Sequence, residues 1–235
     1  MDDSVSPHAS PSPVVRQAAT PVAGAVAGII FAVLFGASMI IFRQTWGDAA
    51  VDSGDWLSGD AALFKLALVL IPFAGIAFLW FMAVARARLG RFEDQFFSTV
   101  FIGSGLLFLA MVFAAAASAG AIAAAAANDP AGFADSTTYA YARQAVAQIL
   151  TIYALRMAAV FQLSQATLWL RTRVMPRWMA VLTFVVAIAL LFVFSQTFWV
   201  ALVFPGWVLL VSIYILIVRL GARASAEGGE QEDEG

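Results

Sequence analysis

Apolar residues fall along this chain in six runs, separated by short polar gaps. Each run holds roughly 20 residues, enough on a helix rising about 1.5 Å per residue to cross a hydrocarbon core of about 30 Å. The pattern predicts an all-α polytopic membrane protein, a bundle of six transmembrane helices over about 21–42, 61–84, 98–127, 145–170, 178–195 and 198–219. The last two come from one apolar stretch, about twice too long for a single crossing. Its polar cluster, Ser195-Gln196-Thr197, is where a tight turn is placed. Pro72 with Gly75, and Pro205 with Gly206, are expected to kink the helices that hold them. Gly24 and Gly28 form a small-residue pair suited to close packing inside the bundle. Residues 1–20, rich in Pro and Ser, and the acidic stretch 221–235 lack the apolar side chains to order themselves and read as disordered tails.

Charge then orients the helices. Nine basic residues (Arg16, Arg86, Arg88, Arg91, Arg171, Arg173, Arg177, Arg219, Arg223) lie before span one and after spans two, four and six. Three (Arg43, Lys65, Arg143) lie in the alternate gaps. The bias predicts that both termini are cytoplasmic, an N-in/C-in arrangement. Six tryptophans, Trp46, Trp56, Trp80, Trp169, Trp178 and Trp199, fall at expected membrane–water boundaries, and Trp207 alone lies deep. The outer gap holding Asp48, Asp52, Asp55 and Asp60 reads as a solvated acidic loop.

Composition narrows the chemistry further. Residues are 62% hydrophobic and 12% charged, with a net charge of −2, so there is no basic face for nucleic acid. Cys is absent, and the single His, His8, lies in the N-terminal tail. Thiolate metal sites, a cysteine nucleophile, bis-histidine haem ligation and a Ser-His-Asp triad are thereby excluded from the bundle. No cofactor or metal is expected, and no catalytic constellation is found. The strong preference for Arg over Lys and the wealth of Ala point to a bacterial cytoplasmic membrane. The arginine-rich turn ending Met175-Pro176-Arg177-Trp178, set before a smooth apolar helix, resembles a pattern in uncharacterised six-helix bacterial integral membrane proteins. That resemblance spans helices four to six and implies a fold but no activity.

The fourth span carries the candidate site. Gln144, Gln148, Thr151, Leu155, Ala158, Gln162 and Gln165 recur at steps of three and four, which places them on one helical face. Amides facing lipid would lack partners, so this stripe is expected to face other helices or a wet cavity. Arg156 lies near mid-span, where an ionisable residue is a functional candidate. None of the 15 Asp and Glu residues falls inside a span. Amides, backbone carbonyls, water or an anion must therefore hold its charge. The expectation is a non-enzymatic protein that binds or passes a small or lipidic ligand, anionic if Arg156 is its partner. Gln148, Thr151, Gln162 and Gln165 would form the polar wall. The alternative is an accessory protein packing on a second copy or on another membrane protein; lipids are partners in either case.

Overall fold

The computed structural model describes residues 21–46, 61–89, 95–192 and 198–233. The 1–20 tail, the acidic loop and the Ser195–Thr197 turn lie outside the described residues. Every regular element among the described residues is helical: α1 (Pro21–Trp46), α2 (Ala61–Leu89), α3 (Gln95–Ala125), α4 (Pro130–Ala134), α5 (Thr137–Gln148), α6 (Leu155–Thr172), α7 (Arg177–Phe192) and α8 (Val203–Asp233). A six-residue π turn, Ile149–Ala154, joins α5 to α6 without a break, and a short 3-10 turn, Phe198–Leu202, leads into α8.

Among the described residues, five helical stretches are long and apolar enough to cross a membrane: Val22–Thr45, Ala62–Ala87, Ser98–Ala125, Thr137–Thr172 and Trp199–Arg219. The chain is thus a multi-pass helical membrane protein. Helix α7 is apolar, but its 16 residues make it shorter than the others.

Residue contacts fix the direction of each helix. Phe42 meets Phe64 at 5.0 Å, while a side chain at Gly24 would strike Val84, so α1 and α2 run antiparallel. Gly75 faces Phe113 and Gly105 faces Met82, which reverses the chain again at α3. Gly28 lies against Ser212 and Phe31 meets Phe204, so α8 runs opposite to α1. Both Gly24 and Gly28 are therefore spent on contacts within the bundle, as small residues that allow close helix approach.

The centre is aromatic. Phe31 of α1, Phe78 of α2, Phe108 of α3, Phe161 of α6 and Phe204 of α8 are all buried and in mutual ring contact. Phe31–Phe78 lie 4.9 Å apart, Phe78–Phe108 5.4 Å, Phe78–Phe161 5.3 Å and Phe108–Phe204 4.7 Å. Such tilted and edge-on pairs add about 0.5–1.5 kcal/mol each beyond the area they bury. Helix α7 joins the others through a polar pin. The Trp207 indole Nε1–H donates to Thr183 Oγ1 at 2.9 Å, and that hydroxyl donates to the Met179 carbonyl at 2.8 Å. This is how the one deep tryptophan is satisfied.

Pro72 and Pro205 both lie within helical spans, and two other features differ from the sequence reading. Pro205 lies in the first turn of α8, where the preceding 3-10 segment passes into α geometry. It has no N–H to donate back to that segment. Pro72 stands within an unbroken α2, its ring turned outward. The stretch 221–233, read as part of an unstructured tail, continues α8; Ala222, Ala224, Ala226, Glu227 and Gln231 are good helix formers, and no proline stops them. Trp169, expected at the lipid boundary, is buried against Trp207 at 6.2 Å. Trp80, Trp178 and Trp199 do face outward.

Candidate ligand-binding site

The helix from Thr137 to Thr172 enters the bundle from two capped turns. Asp129 accepts from the Gly132 N–H at 3.0 Å to start α4, and Ser136 Oγ accepts from the Tyr139 N–H at 3.1 Å to start α5. Both are the short polar residues that best satisfy free amides at a helix start. All seven stripe positions, Gln144 to Gln165, are buried or half-buried, so the face does turn inward.

The π turn divides that face. A π turn admits one extra residue, which moves the inward face by one position on crossing it. Below the turn, Gln162 and Gln165 are buried as expected; above it, Arg143 and Ala147 are buried, while their neighbours Gln144 and Gln148 are only half so. Thr151, inside the turn, is buried and donates to the Ala147 carbonyl at 2.7 Å. Arg156, half-buried, donates through Nη1 to the Ile152 carbonyl at 3.0 Å, on the last turn of the π segment. Its charge is thus met, at least in part, by its own helix.

The polar wall is therefore two separate groups. Thr151 and Gln162 are 11 positions apart in the chain, about 16 Å along a helix axis, with Leu155 and Ala158 buried between them. Near the upper group is a void of about 10 Å³ lined by apolar side chains such as Met39, Phe42 and Leu150. It is at the lower limit for a single water and offers that water no polar side chain.

The lower group is different. Gln165 and Trp169 of α6 line a cavity of about 30 Å³ with Gly24 of α1, Phe81 and Val84 of α2, and Ile215 of α8. That is room for roughly two water-sized groups. Gln165 is 3% exposed, and its Oε1 has no hydrogen-bond partner among the described residues. One turn deeper on the same face, Gln162 is 0% exposed, and neither end of its amide finds a partner there. Ser212, one turn from Ile215 on α8, is likewise fully buried with its hydroxyl unmet. An unpaired buried amide or hydroxyl costs about 1–3 kcal/mol by mutational measures. Of these three groups only Gln165 lines the cavity; Gln162 and Ser212 lie one turn away along α6 and α8. Arg156 does not line this cavity.

Ser212 and the inward turn of Trp169 were missed in the sequence. Ser212 is a lone hydroxyl in an apolar run, but it shares a face with the buried Val208 and Phe204, a spacing that could have revealed it.

Arg173, just past the end of α6, has φ 53° and ψ 24°, the one non-glycine residue with positive φ among the described residues. This left-handed conformation costs an L-residue with a Cβ about 1–2 kcal/mol. Its N–H donates to the Trp169 carbonyl at 2.9 Å, closing the helix, and Val174 and Met175 just beyond it line the cavity.

No family model, curated protein or solved structure matches the chain. Its class rests on the bundle itself: a multi-pass helical membrane protein with a small polar cavity near one end.

Proposed function

We propose that this chain is a non-enzymatic protein of a bacterial cytoplasmic membrane. It crosses six times with both ends inside and binds the polar end of a small or lipidic ligand in the cavity at Gln165. Gln165 is its polar wall, with Gln162 and Ser212 one turn away, and Arg156, Gln148 and Thr151 do not line it. The observation that carries the reading is the buried Gln165 Oε1, which lines a cavity and has no partner among the described residues. Binding is favoured over passage because the aromatic rings fill the centre of the bundle beyond it.

The threading is supported by antiparallel packing that gathers the ends bearing Arg86, Arg173 and Arg219 on one side. Helix α7 (Arg177–Phe192) would be the short fifth crossing. Thiol labelling of single-cysteine variants tests this: Leu89→Cys should react only from the cytoplasmic side and Gly132→Cys only from outside. The reverse pattern would overturn the orientation.

Native mass spectrometry of the protein after mild extraction tests the site. Wild type should retain a bound species that Gln165→Leu loses by about tenfold, the loss expected for one good hydrogen bond. Gln165→Leu should unfold no earlier than wild type, because an apolar side chain removes a buried acceptor that has no protein partner. Earlier unfolding, with nothing bound to wild type, would make Gln165 a packing residue only.

The accessory reading draws on a different surface, an apolar groove of about 780 Å³ between α1 and α2, lined by residues such as Ile30, Phe73 and Trp80. It would appear in the same spectra as a stoichiometric protein partner.

A further inference from the structure

We infer that the cavity at Gln165 takes the hydroxyl-bearing end of a phosphate diester, whose phosphate is held by arginines at the cavity rim. This rests on the binding site proposed above and specifies what enters it.

The unmet group on the cavity wall sets the first requirement. Gln165 presents Oε1, a carbonyl oxygen that accepts and cannot donate, so the ligand must bring a donor. No Asp or Glu is among the lining residues, which leaves an ammonium donor without a counter-charge and favours a neutral hydroxyl. The volume sets the second. About 30 Å³ admits a hydroxymethyl-sized group and excludes a whole headgroup. The remainder of the ligand must therefore lie at the rim.

Exposed arginines stand close in sequence to the lining residues. Arg86 follows the lining residue Ala85, Arg173 precedes the lining residue Val174, and Arg219 stands one turn beyond the lining residue Ile215. All three are exposed, and three separate helices bring them to the same end of the bundle. Guanidinium groups suit phosphate because their fork of donors matches its oxygens. Arg173 adds an independent sign. A glycine would adopt its left-handed backbone without strain, yet this position carries an arginine. The turn that closes α6 therefore does not itself require the arginine side chain.

One ligand chemistry satisfies both parts, a diester joining phosphate to an alcohol with a free hydroxyl. It can reach the site as an inner-leaflet lipid of the phosphatidylglycerol type or as a soluble glycerol phosphodiester. The test uses the full chain, extracted and exchanged into mixed micelles with phosphatidylglycerol, phosphatidylcholine (phosphate without the hydroxyl) or diacylglycerol (hydroxyl without the phosphate). Bound lipid is read by native mass spectrometry and unfolding by heating. Wild type should retain phosphatidylglycerol about tenfold better than either of the others. Arg173→Gly should lose that preference while unfolding at the same or a higher temperature, a combination that a merely structural arginine would not give. Arg173→Asn, also at home in the left-handed region, should behave likewise.

Displacement of the lipid by glycerophosphoglycerol at similar affinity would support the chemistry and place its source in solution. Retention of all three lipids alike, still dependent on Gln165, would overturn the phosphodiester and leave the binding site standing. An unchanged preference in both Arg173 variants would also overturn it. Retention that ignores Gln165→Leu would remove the inference and the site together.

Discussion

Phe78→Ala should destabilise the bundle more than any other single truncation, by about 2–4 kcal/mol. The Phe78 ring is fully buried and lies within 6.2 Å, centroid to centroid, of Phe31, Phe81, Phe108, Phe161 and Phe204. In soluble cores this substitution costs about 3–5 kcal/mol, part of it the lost transfer out of water. In lipid that part shrinks, because the separated helices are also in an apolar medium. What remains is the void itself, where each neighbouring ring loses its contacts on one side. Unfolding in mixed micelles, by denaturing detergent or by heat, measures the difference. Phe73→Ala on the same helix is the comparison, since Phe73 is 58% exposed and faces outward. It should lose less than about 0.5 kcal/mol, the range for surface changes. Equal losses at the two positions would mean that the rings do not pack as described.

Gly28→Leu should prevent assembly of the native bundle or cost about 3 kcal/mol or more, the upper range for overpacking. A Cβ at position 28 would run into Ser212 Oγ and lie 2.9 Å from Phe81 Cδ2, so α1 could not keep its seat against α2 and α8 together. The smaller Gly28→Ala should cost about 1–3 kcal/mol. Adding Ser212→Gly should recover much of it by removing the obstructing hydroxyl. Gly36 lies on the same helix with nothing within 4 Å of its virtual Cβ. Gly36→Ala should therefore be neutral or stabilising, since alanine is the better helix former by about 1 kcal/mol. Thermal unfolding and the yield of monodisperse protein report on all four variants. A tolerated Gly28→Leu would place the α1–α8 contact elsewhere.

Much of the architecture was legible because lipid imposes a coarse rule, that apolar runs of crossing length become helices. The runs near 21–42, 61–84 and 98–127 correspond to α1, α2 and α3 for that reason. The inward direction of Gln162 and Gln165 was legible too, because an amide has few places to go in a bilayer. The upper half of the same stripe was misplaced, and the cause is local. A uniform spacing of 3.6 residues carries the inward face through Gln144 and Gln148, whereas the extra residue in Ile149–Ala154 moves it to Arg143 and Ala147. No pattern of polar and apolar residues marks a π turn, because its hydrogen bonds belong to the backbone. The change of helix type beside Pro205 was hidden for a related reason: proline marks an interruption without saying that 3-10 geometry precedes it. Arg156 drew attention by its depth, but depth alone says nothing of a partner, and the Ile152 carbonyl lies within reach on its own helix.

Interlocked phenyl rings at the centre bear on what could travel through the bundle. Protons move through proteins along files of water and hydroxyl groups, and phenyl rings offer neither. Where Phe31, Phe78, Phe108, Phe161 and Phe204 meet, such a file has no footing. Anything crossing at that level would have to part rings packed 4.7 to 5.4 Å apart.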